Sequence, residues 1–170
     1  MELEIPSTHK KSIKTKDDHI RVLWKEAQID HLNTLNDMET YHLIERPKNA
    51  HILRGRWVFD TKVDGVNPKL VKKLRARFCA KGFTQKEGVD FYETFSPTAK
   101  LKTLKILLTI LASNGNMVSE QWDVSAAYLH ADLDCNIYME QPEGFEIEGK
   151  ENYVIKLDKA LFGLKQSGRL

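Results

Sequence analysis

The sequence predicts an α+β domain in which helices and antiparallel hairpins alternate rather than a repeating βαβ unit. Three observations carry this. Residues 19–38 show a one-sided helical period, a second such period covers 99–113, and the runs between and after them are short, β-rich and bounded by turn residues. The 170 residues contain no internal repeat and no low-complexity tract. That length is enough for one domain with a core of its own.

Residues 1–18 are polar and rich in lysine, with no apolar stretch of the kind a secretory signal needs, and read as a flexible lead-in. From His19 to Met38 the apolar residues Ile20, Leu23, Trp24, Ala27, Leu32 and Leu35 fall on one helical face. Asp17 or Asp18 supplies the cap. Tyr41–Glu45 and Ile52–Val63 read as strands, the second ending at the turn signals Asp64-Gly65 and Asn67-Pro68. Val71–Ala80 returns antiparallel to complete a hairpin.

Phe83–Pro97 mixes glycine, charge and aromatics without a period and reads as loop. Ala99–Ser113 predicts a helix with Leu101, Leu104, Leu107, Leu108 and Leu111 facing inward and Gly115 just past its end. Met117–Val124 predicts a strand, and Ser125–Leu129 a short helix. Asn136–Glu140 and Tyr153–Leu157 form a last strand pair around the turn Pro142-Glu143-Gly144.

Bulk composition excludes several classes. Hydrophobic content of 41% and charged content of 29% are ordinary for a globular chain, and a net charge of +2 does not select a partner. Cys79 and Cys135 stand far apart with no CxxC, which argues against a disulfide framework or a cysteine zinc site and fits a reducing, intracellular setting. The longest apolar run, Ile106–Ala112, is far too short to span a bilayer, so no membrane partner is expected.

Charge distribution says more than net charge. Lys69, Lys72, Lys73, Arg75, Arg77, Lys81 and Lys86 occur with no acidic residue among them. On a strand, Lys73, Arg75 and Arg77 share a face, leaving Leu74, Ala76 and Phe78 for the core. Three cations side by side repel, and a nucleotide or nucleic-acid phosphate would relieve that. A solvated edge in which lysine deters strand pairing explains the same pattern.

Asp123 has two readings as well. At the end of an apolar strand it is a hard-cation ligand, able to hold Mg²⁺ alongside phosphate oxygens. Just before a short helix it is a cap. Ala126 and Ala127 leave their N–H groups accessible to phosphate. Tyr128 would then lie against a bound sugar, or else in the core.

Taken together, these segments resemble one family. Arg75-Ala76-Arg77-Phe78-Cys79-Ala80-Lys81-Gly82-Phe83-Thr84-Gln85 and Gly88-Val89-Asp90-Phe91-Tyr92-Glu93-Thr94-Phe95-Ser96-Pro97 are similar to consecutive blocks of copia-type (Ty1/copia) retrotransposon reverse transcriptases. So are the stretch from Gln121 to Leu133, Ile137-Tyr138-Met139-Glu140-Gln141-Pro142-Glu143-Gly144-Phe145, and Leu161-Phe162-Gly163-Leu164-Lys165-Gln166-Ser167. The likeness runs in order from about residue 22 to the last, and several blocks in register are far more specific than one.

The resemblance implies the fingers and the first part of the palm of a right-hand polymerase, with residues 19–170 as an incomplete reverse transcriptase domain. It implies that Asp123 is the first of three catalytic aspartates and a ligand to Mg²⁺. Ala126 and Ala127 match the positions whose amides meet the triphosphate, and Tyr128 the steric gate that clashes with a 2′-hydroxyl. Arg77 and Arg75 match the fingers cations on the incoming triphosphate. Phe162 to Lys165 resembles the loop over the templating pair, where packing is expected.

The implied partners are an RNA or DNA template-primer, deoxynucleoside triphosphates and the remaining polyprotein segments. The implied setting is the cytoplasm, within a particle, or the nucleus. Ala131 stands where the family has glycine and Gly168 where it has proline, departures that bear on turns. The family's other two aspartates lie together on a later hairpin, and no such pair occurs up to Leu170. Two-metal phosphoryl transfer needs those carboxylates. The expectation is therefore a domain with negligible polymerisation by itself, or a nucleic-acid-binding remnant without chemistry.

Overall fold

The computed structural model describes residues 5–63 and 71–170, and these form three α-helices and six strands. The first helix is a single turn, α1 (His9–Ser12), inside the predicted lead-in. Its His9 Nδ1 lies 3.0 Å from Nε2 of the buried Gln28, and its ring stands 6.0 Å from Phe145.

α2 (Asp18–Asp37) matches the predicted amphipathic helix. Asp17 starts it by accepting from the N–H groups of His19 and Ile20, at 2.9 and 3.3 Å. Those are two of the four donors every helix start leaves open.

The chain then builds two sheets. β1 (Tyr41–Glu45), β6 (Tyr153–Lys159), β5 (Asp132–Met139) and β2 (Ile52–Leu53) lie side by side in that order, antiparallel except for the parallel β2–β5 pair. β3 (Gly55–Val63) and β4 (Val71–Ala80) form the second sheet, an antiparallel hairpin. The predicted turn at 64–68 and Lys69 lie outside the described residues.

The run predicted as one strand over 52–63 divides at Arg54, whose carbonyl accepts the Lys81 N–H at 2.9 Å. Gly55 makes the switch possible. A Cβ there would fall 2.1 Å from the Phe78 ring, which covers the backbone instead.

Period-two alternation sets the hairpin's two faces. Trp57, Phe59, Ala76 and Phe78 turn inward onto α2, where Trp24 meets Phe59 edge-on at 5.3 Å. Trp57 satisfies its indole N–H on the Glu143 carbonyl at 3.0 Å. The core continues through Leu53, Leu129, Ile137, Met139, Ile155, Leu157 and Leu161 of the larger sheet and its loops. Burial of each such side chain contributes about 1.5–3 kcal/mol.

Two expectations fail in the middle of the chain. α3 (Leu101–Ser113) forms, but the leucines assigned to its inner face do not go in: Leu101 and Leu107 keep 65% and 59% of their surface. Met117–Val124 is not a strand, and Val118 and Trp122 are exposed. A helix closes its hydrogen bonds within itself, whereas a strand needs a neighbour. No described strand pairs with 117–124, so its β-prone composition is not enough.

Candidate nucleotide-binding site

β4 carries the cations. Arg75 and Arg77 stand two residues apart, opposite Asp60 and Val58 of β3, and their side chains are half-buried. Arg77 Nη1 is 4.0 Å from Asp60 Oδ2, and Lys73 Nζ is 3.6 Å from Asp30 Oδ2 on α2. These are loose, at least partly exposed pairings, worth a fraction of a kcal/mol each. Beside the strand lies a cleft of about 330 Å³, lined by Asp30, His31, Lys73, Arg75, Arg77, Ala126, Leu129 and Phe162 among others.

Ala126 occupies the left-handed region, with φ 52 and ψ 39. That costs an L-residue roughly 1–2 kcal/mol. The next turn of chain holds it there, because Leu129, fully buried, donates its N–H to the Ala126 carbonyl at 2.8 Å. The predicted short helix is thus one 3₁₀ turn, Ala127–His130. The N–H groups of Ala126 and Ala127 have no hydrogen-bond partner among the described residues, so two adjacent donors are available beside the cations.

Tyr128 projects from this turn, about one-third exposed, and meets the Phe162 ring edge-on at 5.1 Å and 79°. The Arg77 guanidinium carbon lies 5.9 Å from the same ring's centroid. Phe162 therefore sits between the predicted cation and the predicted gate. Residue patterns assign it only to packing. The local signal for a tighter role is the glycine after it.

Gly163 has φ +92, and a Cβ on it would fall 2.2 Å from the Ala80 carbonyl oxygen. The Ala80 N–H in turn donates to the Phe162 carbonyl at 2.8 Å. This close approach ties the loop to the end of β4. Buried amides complete the tie: Gln85 Nε2 donates to Gln166 Oε1 at 3.0 Å, and the Lys165 N–H donates to Gln85 Oε1 at 2.8 Å.

Asp123 is placed differently from the expectation. It lies on an exposed loop rather than at a strand end, and its carboxylate makes no ion pair or hydrogen bond to a described residue. It does not cap the 3₁₀ turn either, since Ala126 occupies that position without a side-chain bond. Among the described residues, no three His, Cys, Asp or Glu side chains are grouped to hold a metal ion.

Three cations, Lys73, Arg75 and Arg77, and one carboxylate, Asp30, line the cleft. Burial, with the Arg77 charge adding to it and a backbone bond to Phe78 opposing, holds the His31 imidazole below its ordinary pKa. Burial pushes the Cys79 and Cys135 thiols up, so both are poor nucleophiles. No helix of the described residues is long and apolar enough to cross a membrane.

The chain is similar to known proteins over most of its length. The family model described as "Reverse transcriptase (RNA-dependent DNA polymerase)" matches residues 38–170. The chain is 46% identical over 144 residues to the retrovirus-related Pol polyprotein from transposon TNT 1-94 of Nicotiana tabacum, covering 85% of this chain and 11% of that protein. It is 36% identical over 147 residues to the Pol polyprotein from transposon RE1 of Arabidopsis thaliana, covering 86% and 10%. It is 31% identical over 163 residues to the truncated transposon Ty1-A Gag-Pol polyprotein of Saccharomyces cerevisiae, covering 95% and 12%. The chain spans about a tenth of the length of these relatives. No solved structure matches.

Proposed function

The chain belongs to the copia-type reverse transcriptase (RNA-dependent DNA polymerase) family, and from that premise we propose that the β4 cleft receives a deoxynucleoside triphosphate for RNA-directed DNA synthesis. The α2–hairpin unit serves as fingers and the four-stranded sheet with its 3₁₀ turn as the first part of the palm. The observation that carries the reading is the row Arg77–Phe162–Tyr128, with the free amides of Ala126 and Ala127 beside it.

Each member has a chemical task. Arg75 and Arg77 offer forked donors that match phosphate oxygens, and such charged hydrogen bonds are the strong ones. The Ala126 and Ala127 amides add two neutral donors whose cost of alignment is met by the buried Leu129 anchor. Tyr128, backed by Phe162, keeps its ring from retreating, so a ribose 2′-hydroxyl would collide with it while a deoxyribose would not.

Asp123 fits one position in a Mg²⁺ site, since its carboxylate is exposed and free of described partners. The other ligands would be triphosphate oxygens and carboxylates from elsewhere in the working polymerase. Bound there, Mg²⁺ would neutralise phosphate charge while the primer 3′-hydroxyl displaces pyrophosphate. Such a domain would act on a template-primer inside the cell, in the cytoplasm or nucleus, alongside other polyprotein segments.

The test is a fluorescence titration of the chain with a labelled deoxynucleoside triphosphate in Mg²⁺. Arg77→Ala should weaken binding by about tenfold or more, the loss of a charged hydrogen bond. Tyr128→Ala should narrow the gap between deoxy- and ribonucleotides. Saturable oligonucleotide binding with no triphosphate binding would replace this reading with nucleic-acid binding alone.

A further inference from the structure

We propose that residues 6–12 of the chain form a clasp that pins α2 to the turn between β5 and β6, with His9 as the pin. For its effect on nucleotide, the inference rests on the proposed reading of the β4 cleft. It also gives a task to the block Gln141-Pro142-Glu143-Gly144-Phe145, which the chemistry at that cleft leaves unused.

Composition makes this segment a flexible lead-in, and a single helical turn has little stability of its own. The structure shows it ordered by docking. Pro6 and Ser12 are buried. Thr8 caps α1 by accepting the Lys11 N–H at 3.3 Å, and the Ser12 hydroxyl donates to the His9 carbonyl at 2.7 Å.

His9 makes contacts on two sides. On the first, its Nδ1 is the one hydrogen-bond partner that the Gln28 side chain has among the described residues, and Gln28 is 1% exposed. The amide nitrogen donates and Nδ1 accepts, so loss of the imidazole leaves a buried donor unsatisfied. On the second side, the ring stands 6.0 Å from Phe145 and lies against Gly144. A Cβ at Gly144 would fall 2.1 Å from His9 Nε2, and the φ of +85 there already favours glycine.

The turn that receives His9 is braced from within. Gln141 donates through Nε2 to the Lys150 and Tyr153 carbonyls at 2.7 and 3.2 Å, and its Oε1 accepts the Ile147 N–H at 3.0 Å. The Phe145 N–H closes the turn on the Pro142 carbonyl at 3.0 Å. The same turn grips the hairpin. Its Glu143 carbonyl accepts the Trp57 indole N–H, and the Phe145 and Trp57 rings are 5.6 Å apart.

Both grips lead to the β4 cleft. Trp57 meets His31 at 6.3 Å and Phe78 at 5.5 Å, and His31 lines the cleft. Gln28 stands three residues before His31 on α2, on the same helical face. His9 touches neither Arg75 nor Arg77. It acts through Gln28 and through Trp57, as a positioning residue.

The experiment is timed trypsin digestion of the full chain, read by mass spectrometry at Lys10 and Lys11. Both lysines are exposed but sit within α1, so cleavage there requires the clasp to open. His9→Ala should speed it about tenfold, the scale of one lost buried hydrogen bond. His9→Asn, which keeps an acceptor for Gln28, should speed it less. In thermal melts, the His9→Ala/Gly144→Ala double variant should lose less Tm than the two single losses added together, as contacting residues do. His9→Ala should also weaken triphosphate binding about threefold. Cleavage equally fast in the native chain and in His9→Ala, or additive melting losses, would overturn the clasp. Unchanged triphosphate affinity in His9→Ala would overturn the positioning role. If no form of the chain binds triphosphate while His9→Ala still opens Lys10 to trypsin, the β4 reading falls and the clasp stands.

Discussion

The hairpin β3–β4 with α2, and the stretch from α3 through Asp123, are of similar apolar content and opposite fate. In the first, Trp24, Trp57, Phe59 and Phe78 close on one another and leave almost no surface. In the second, Leu101, Leu107, Val118 and Trp122 stay in water although their spacing carries the same inward pattern. Periodicity specifies a face. It does not supply the surface that face must meet, and only the hairpin has that surface among the described residues.

The largest effect that could break this contrast is a pair of truncations. Phe78→Ala should cost about 3–5 kcal/mol, because the ring is 1% exposed and roofs Gly55, so its loss leaves a cavity. Leu107→Ala should stay within about 0.5 kcal/mol, since the side chain is mostly solvated and alanine favours helix. Urea unfolding of both variants measures this. Comparable losses would mean that α3 buries its leucines after all.

A smaller effect sharpens the comparison at the border of the well-packed region. Gly163→Ala places a methyl against the Ala80 carbonyl and forces a left-handed backbone on a residue with a Cβ. The expected cost is about 1–3 kcal/mol. Because Phe162 is bonded to Ala80, the loop's shift should also loosen the backing of Tyr128 and reduce deoxynucleotide selectivity. A stability loss with selectivity intact would separate Phe162 from the proposed gate.

These contrasts also explain how much could be read from residues alone. α2 and its Asp17 cap, the hairpin strands and the β5–β6 pair were legible because each combines a clear period with local stop signals. The cation face of β4 was legible for the same reason. The division at Arg54 was not, since it depends on Phe78 lying over Gly55, twenty-three positions away in sequence. The place of Phe162 between Arg77 and Tyr128 depends on contacts across the fold, as does the convergence of Gln85, Asp90 and Gln166. The position of Asp123 reflects a segment that finds no strand neighbour among the described residues, which no local pattern reveals.

The smallest effect concerns His31, where the cleft meets the packed region. Its Nε2 is buried without a hydrogen-bond partner among the described residues, and burial holds its pKa below the ordinary 6.5. The unfolded chain then binds a proton more readily than the folded one, so stability rises with pH in this range. Full stability is present above pH 6.5 and is lost as pH falls from there through the folded-state value. His31→Phe should flatten that slope between about pH 7 and 5, with the other five histidines left in place. Urea midpoints of both proteins across the window would show it. An unchanged slope would mean that the imidazole is solvated and that α2 sits less tightly on Trp57 and Phe78 than the hairpin side of the comparison requires.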